Sequence, residues 1–357
     1  MKAFGHTRAT RIEETDALME LNIPTPEPGP RDVVVEVSAV SVNPVDTKLR
    51  SVAPPEGEAR VLGYDAVGRV VATGGQVRGF RAGDRVFYAG SNLRQGSNAR
   101  FQAVDERLVA CAPQSLTDVE AAALPLTALT AWELLFDRLG LTAGQMESPD
   151  ALLIVGGAGG VGSILTQIAR RLTGLKVIAT ASRPETVEWC KSMGAHHVID
   201  HRRPLDQELA RIGLPHVQYV AGLTATGQHK DAIVRALAPQ GALAMIDDPG
   251  EFDIMPFKRK SLSVHWEYMF ARPAFNTPDM AVQGRILGQI ASLVDAGLLR
   301  TTLHQTLGPI TLENLRLAHE ILESGTGIGK VVLSGFPDSN LLSRWKFGFQ
   351  HLAPCIL

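Results

Sequence analysis

Residues 151–163 read Ala-Leu-Leu-Ile-Val-Gly-Gly-Ala-Gly-Gly-Val-Gly-Ser, and this stretch decides the fold. Leu152 to Val155 is a short apolar run of the kind that forms a buried strand. Glycines follow at 157, 159 and 162, the spacing G-x-G-x-x-G. Val161, Ile164, Leu165, Ile168, Ala169 and Leu172 then recur at three- and four-residue intervals, which predicts an amphipathic helix over 160–173. Strand, glycine turn and helix in that order make a dinucleotide-binding unit. The first glycine permits a tight turn, the second lets backbone approach a pyrophosphate, and the third lets helix and strand pack closely. The N–H groups at the helix start then face the anion. In a chain with 34 glycines the spacing alone is weak, and a purely structural glycine turn is the competing reading. The flanking strand and helix give the motif its weight.

Outward from this point, strands and helices alternate. Strands are predicted at 152–155, 176–180, 197–200, 217–223, 242–246 and 261–266, with helices at 160–173, 184–193, 204–211 and 227–237. Such alternation predicts a doubly wound parallel sheet with helices on both faces, binding its ligand beyond the carboxyl ends of the strands. Residues 1–125 are different. Valines alternate from Val33 to Val37, and Val67 to Ala72, Arg85 to Tyr88 and Arg100 to Val104 are further strands, separated by Pro28-Gly29-Pro30, Gly74-Gly75 and Ala82-Gly83-Asp84. Short strands at this density predict a compact, partly open β-barrel. Thr117 to Glu120 caps a helix from Val119 to Leu124, and a second helix from Leu126 to Leu139 forms the crossing between domains. Helices over 279–296 and from Thr311 to Leu322, then a strand from Lys330 to Leu333, return to the first domain. The expected division is 1–125 with 277–336, an inserted dinucleotide domain at 126–276, and an extension at 337–357.

Composition bounds the function. The chain of 357 residues is 45% hydrophobic and 20% charged, enough to bury a large core. A net charge of −2 gives no reason to expect nucleic acid or an anionic membrane as a partner. Three cysteines, Cys111, Cys190 and Cys355, argue by their odd number and wide spacing against a disulfide framework. No apolar signal core opens the chain and no run of 18 apolar residues occurs, so a cytoplasmic location is expected.

Further motifs are Val42-Asn43-Pro44-Val45-Asp46-Thr47, Gly63-Tyr64-Asp65-Ala66-Val67-Gly68, Ala82-Gly83-Asp84-Arg85-Val86, the stretch from Leu124 to Ala131, Ile246-Asp247-Asp248-Pro249, the stretch from Pro256 to Ser263, and Gly329-Lys330-Val331-Val332-Leu333. Together they resemble those of the medium-chain dehydrogenase/reductase superfamily. Within it the chain is similar to the zinc-independent quinone oxidoreductase branch, and more narrowly to zinc-type alcohol dehydrogenase-like proteins. The resemblance covers residues 1 to about 336. It implies a GroES-like catalytic domain around a Rossmann NADP-binding domain, and a homodimer.

Zinc-dependent relatives place Cys where this chain has Asn43, and Gly-His-Glu where it has Gly63-Tyr64-Asp65. Catalytic zinc needs about three protein ligands, and the cysteines are too few for a structural site of four. His196, His197 and His201 read as strand-end histidines or neighbours of the cofactor, so no metal is expected. An NAD enzyme carries an acid at the end of the second Rossmann strand. Here Val177 to Ala181 leads into Ser182-Arg183, a hydroxyl and a guanidinium that suit a 2′-phosphate. NADPH is therefore the expected cofactor. Ser182 capping the helix that Pro184 begins, with Arg183 solvated, is the bland alternative. The resemblance adds Gly157 to Gly162, with Ala158, Gly159, Gly160 and Val161, on the pyrophosphate. It also implies Thr127 near the nicotinamide ribose, Leu223 and Thr224 lining the nicotinamide pocket, and Lys330 as a further contact. His201 is a candidate at the adenosine end.

Without zinc, stabilising the alkoxide of a simple alcohol has no evident source, whereas reducing an activated C=C or a quinone needs orientation and a donor for the developing enolate. Asn43 is the first candidate for that donor, against a turn residue before Pro44. Tyr64 is second, against packing in the barrel, and Asp46 is an orienting acid. Lys48 stands where several relatives have Tyr, so it either attracts an acidic substrate or is simply solvated. Cys190 and Cys111 read as packing. The expected substrate is a small quinone or enone. An NADP-dependent alcohol dehydrogenase and a non-catalytic nucleotide-binding member stay open as alternatives.

Overall fold

The computed structural model describes residues 1–337, so the aromatic and basic tail beyond Pro337 lies outside the described residues. The chain forms two compact units, Met1–Leu126 together with the segment from Phe270 onward, and Thr127–Met269.

The second unit carries six strands, Ala151–Val155, Lys176–Thr180, His197–Ile199, Val217–Gly222, Leu237–Met245 and Ser263–Trp266. They lie in the order third, second, first, fourth, fifth, sixth, and every pair is parallel. This is the doubly wound Rossmann arrangement. All five residues of Ala151–Val155 are buried because the central strand is covered on both faces, which is why it reads as an unbroken apolar run. One core joins Leu153, Val155 and Ile178 on the strands to Leu205, Leu209 and Ile233 on helices Leu205–Arg211 and Thr226–Ala236.

Two elements depart from expectation. The fifth strand starts at Leu237 rather than 242, because an irregular step bridges Pro239 and Gln240: Val217 pairs with Leu237, and Tyr219 with Ala242. The crossing helix is regular only over Pro125–Trp132 and widens to a π-helix over Glu133–Arg138. There Arg138 Nε reaches Glu267 at 2.8 Å.

The first unit is GroES-like. A seven-stranded sheet runs in the order Leu303–Thr306, Lys330–Ser334, Asp32–Ser41, Ala66–Thr73, Arg85–Tyr88, Val109–Cys111, with Phe101–Asp105 paired to Asp32–Ser41. Lys2–His6, Met19–Asn22 and Arg60–Val61, unmarked by alternation in the sequence, form a separate three-stranded sheet. Thr117 caps helix Asp118–Ala122 through the Glu120 N–H, as its sequence predicts. No helix among the described residues is long and apolar enough to cross a membrane.

Candidate active site

In the second unit the turn between Ala151–Val155 and helix Gly160–Leu172 divides its work among four glycines. The left-handed residue is Gly156 (φ +92°), one place before the expected first glycine. Its N–H donates to Thr180 Oγ1 at 3.0 Å and the Gly157 N–H to the Thr180 carbonyl at 3.2 Å. The turn is thereby tied to the end of the second strand. A Cβ on Gly157 would lie 2.6 Å from Ala179 Cβ, and one on Gly162 2.3 Å from the Gly156 carbonyl oxygen. Both positions need glycine for close packing. Gly159, the residue before the helix, is different: a Cβ there would meet nothing nearer than 3.6 Å. The space beside its backbone is open, as an approaching pyrophosphate requires. Ala158 is buried, while Gly160 and Val161, the first helical residues, are partly exposed. Their N–H groups precede the hydrogen-bonded ladder and face outward from the helix start.

The predicted contacts of the second unit divide. Leu223 and Thr224 follow the fourth strand and pack on the turn, the Thr224 methyl lying 2.9 Å from where a Gly156 Cβ would be. Ser182 and Arg183 follow the second strand, both partly buried. Arg183 itself precedes helix Pro184–Ser192, so Ser182 is not the capping residue. The Thr186 hydroxyl accepts the Arg183 N–H instead, at 3.1 Å. The guanidinium pairs with the Glu185 carboxylate at 3.3 Å on the surface. His201 is half-buried after the third strand, with its basicity lowered by burial. Thr127 is buried on the crossing helix. Cys190 packs against the glycine turn, and burial pushes its thiol up to about 12, an inert group.

In the first unit three neighbouring strands end together. Ser41 pairs with Val332, and Val40 with Ala66. That register brings Lys330, Asn43 and Asp65 to one end of the sheet. Lys330 Nζ donates to the Val42 carbonyl at 3.0 Å, to Asn43 Oδ1, and to Asp65 Oδ2 at 3.0 Å. An ammonium has three donors, and all are used. Asp65 also accepts from Asn43 Nδ2 at 2.8 Å and from the Leu126 N–H at 2.7 Å. Asp46 accepts the Asn43 and Gly63 N–H groups, each at 2.8 Å, closing the first turn of helix Pro44–Arg50. All four side chains are essentially inaccessible to water. Burial pushes the Asp46 carboxyl up to about 7. Burial also raises Asp65, against the pull of Lys330 and its N–H donors.

Two of the predicted residues have their polar atoms engaged within the cluster: Lys330 through all three donors and Asn43 through both ends of its amide. Tyr64 is fully buried, its ring edge-on to Phe270 at 5.4 Å, which is packing geometry. Lys48 lies exposed on the helix that carries Asp46. Asp65, the hub, and Gly156, the left-handed turn, are the residues sequence reasoning missed. A carboxyl in an otherwise apolar stretch and an extra glycine before the motif were the available signals.

Zinc does not fit this cluster. Three oxygens converge on an ammonium, and an amide stands where a thiolate would be needed. Among the described residues no three His, Cys, Asp or Glu side chains are grouped to hold a metal.

Residues 29–114 match the alcohol dehydrogenase GroES-like domain and residues 193–333 the zinc-binding dehydrogenase family. A zinc-type alcohol dehydrogenase-like protein of Staphylococcus aureus is 41% identical over 336 residues, spanning 94% of this chain and all of that one. The crystal structure of a putative zinc-dependent alcohol dehydrogenase from Rhizobium etli superposes with a TM-score of 0.90 at 54% identity, covering 94% of this chain and 98% of that one. Escherichia coli quinone oxidoreductase, solved with NADPH, superposes with a TM-score of 0.79 at 25% identity, covering 94% of this chain and all of that one.

Proposed function

The chain belongs to the medium-chain dehydrogenase/reductase superfamily of oxidoreductases, and on that premise we propose that it is an NADPH-dependent reductase of quinones or α,β-unsaturated carbonyls that works without zinc. The observation that carries the reading is the Lys330 ammonium held among Val42, Asn43 and Asp65. A buried cation there balances Asp65 and leaves no ligand set for a Lewis acid, so a reaction that must stabilise a bare alkoxide is disfavoured. A quinone or enone delocalises the charge it gains over its own oxygen and asks less of the protein.

The open backbone at Gly159 to Val161 would hold the pyrophosphate, Leu223 and Thr224 the nicotinamide end, and Ser182 and Arg183 a 2′-phosphate, with Thr127 and His201 as further contacts. The bound dinucleotide supplies the hydride. Arg183 would exchange its surface pair with Glu185 for the phosphate, a bidentate contact that favours NADPH over NADH. Asp46, with its proton affinity raised to about 7, can hold or release a proton near neutral pH. The Escherichia coli quinone oxidoreductase complex with NADPH supports the choice of cofactor and substrate class. A homodimer remains the expected assembly.

The test is NADPH oxidation by chelator-treated enzyme with quinones, enals, enones and ketones. Turnover with quinones or enones, undiminished by the chelator, is expected. Zinc near one equivalent per chain, with alcohol oxidation lost on its removal, would establish the alcohol dehydrogenase reading instead. Tight NADPH binding without turnover on any of them would point to a non-catalytic member.

A further inference from the structure

Helix Pro44–Arg50 carries Asn43 and Asp46 at one end and Arg50 at the other. Seven residues span only roughly 10 Å, so whatever fixes Arg50 also fixes the Asn43 end. Arg50 is 1% exposed, among the largest fully buried side chains in the chain. Its Nη1 lies 2.9 Å from His319 Nδ1, its Nη2 2.5 Å from Glu323 Oε1, and its Nε 3.3 Å from the Thr10 carbonyl. His319 and Glu323 lie on helix Leu312–Glu323. The link from Arg50 to that helix therefore parallels the link from Asn43 to Lys330.

A guanidinium only donates, so His319 Nδ1 must accept and its proton sits on Nε2. His6 Nδ1 lies 3.0 Å from the Arg8 carbonyl, which only accepts, so its proton sits on Nδ1. Both histidines are wholly buried, and the Nε2 atom of each lacks a hydrogen-bond partner among the described residues. The charged groups facing them are Arg50, Arg60 and Glu323, and Glu323 is already engaged by Arg50. A proton added to His319 would place a second cation against Arg50 and remove the lone pair that Arg50 uses.

We propose that Arg50 and His319 form a buried positioning clamp that fixes the helix carrying Asn43 and Asp46, and that the clamp holds only while the His319 imidazole is neutral. The clamp's bearing on turnover rests on the reductase reading above; its bearing on the helix does not. Burial, then Arg50 and His6, lowers His319 to about 3, and burial lowers His6. An unfolded histidine takes up its proton near pH 6.5, so the clamp's stability is complete above that pH. The His319 share is lost as pH falls from there toward 3, at about tenfold in the folding equilibrium per pH unit.

Nitrogen-15 NMR of the wild-type protein tests the tautomers directly. A neutral Nε2–H form of His319 persisting at pH 5 is expected; that ring titrating near 6.5 overturns the proposal. Amide hydrogen exchange then reads the far end of the helix. In His319→Leu the Asn43 and Gly63 N–H groups should exchange about tenfold faster, the scale of one unmade buried hydrogen bond. His319→Gln, whose amide oxygen can accept from Arg50, should restore their protection and flatten the acid loss of stability. Unchanged exchange in His319→Leu, or unchanged acid sensitivity in a folded His319→Gln, overturns the clamp. For an active enzyme, kcat should fall in His319→Leu while KM for NADPH holds. A clamp intact by NMR and exchange, in a wild type that turns nothing over, would overturn the reductase reading alone.

Discussion

At the glycine turn the functional groups are backbone atoms supplied by consecutive residues, Gly156 to Gly162. Around Asp65 they are side chains of Asn43, Asp46, Asp65 and Lys330, gathered from neighbouring strands and one helix. The turn tolerates no side chain at Gly157 and Gly162 because atoms already fill the space, and none of its residues carries an ionisable side chain. The cluster is buried and depends on charge balance, because each carboxylate or ammonium taken from water must find its partner there. Steric demand governs the first region and electrostatic demand the second, so the two should respond to different substitutions.

The largest effect is expected in the cluster. Lys330→Met leaves Asp65 buried without its cation and should cost about 3–5 kcal/mol in urea unfolding. Adding Asp65→Asn removes the stranded charge, and the double variant should recover most of that loss. A single-variant loss below about 1 kcal/mol would mean that the pair behaves as a surface ion pair. At the turn, Gly162→Ala drives a Cβ to within 2.3 Å of a carbonyl oxygen, and overpacking of that kind should cost about 1–3 kcal/mol. Gly159→Ala, with its nearest neighbour at 3.6 Å, should leave stability within about 0.5 kcal/mol while weakening NADPH binding in calorimetry. Wild-type affinity in that variant would break the cradle reading and leave the turn purely structural. The smallest effect on the fold is expected from Arg183→Ala, since exposed pairs contribute less than about 1 kcal/mol. It should weaken NADPH about tenfold more than NADH, the scale of one charge-assisted hydrogen bond. Equal losses for both dinucleotides would detach Arg183 from the 2′-phosphate.

The contrast also explains what could be read in advance. Strand Lys176–Thr180 and helix Gly160–Leu172 fall where apolar runs and helical spacing put them. Ser182-Arg183 could be singled out because the second strand's end is fixed by counting from the glycines. For Lys330, by contrast, the sequence offers only the further cofactor contact that the resemblance implies. Only the pairing of Val332 with Ser41 and of Val40 with Ala66 reveals that it is buried against Asp65. Asn43, a candidate from the sequence, has both ends of its amide engaged in the cluster.

By itself the sequence determined the order of elements, the doubly wound sheet and the position of the glycine turn. Each is written in local spacing, within reach of a few residues. Tertiary structure alone decided that Gly156 takes the left-handed turn, that Lys330 is the cation of a buried cluster, and that His319 must accept from Arg50. Those facts depend on strand register and burial, which bring together residues up to 288 positions apart. A side chain's charge partners are set by that register, and no local pattern encodes it.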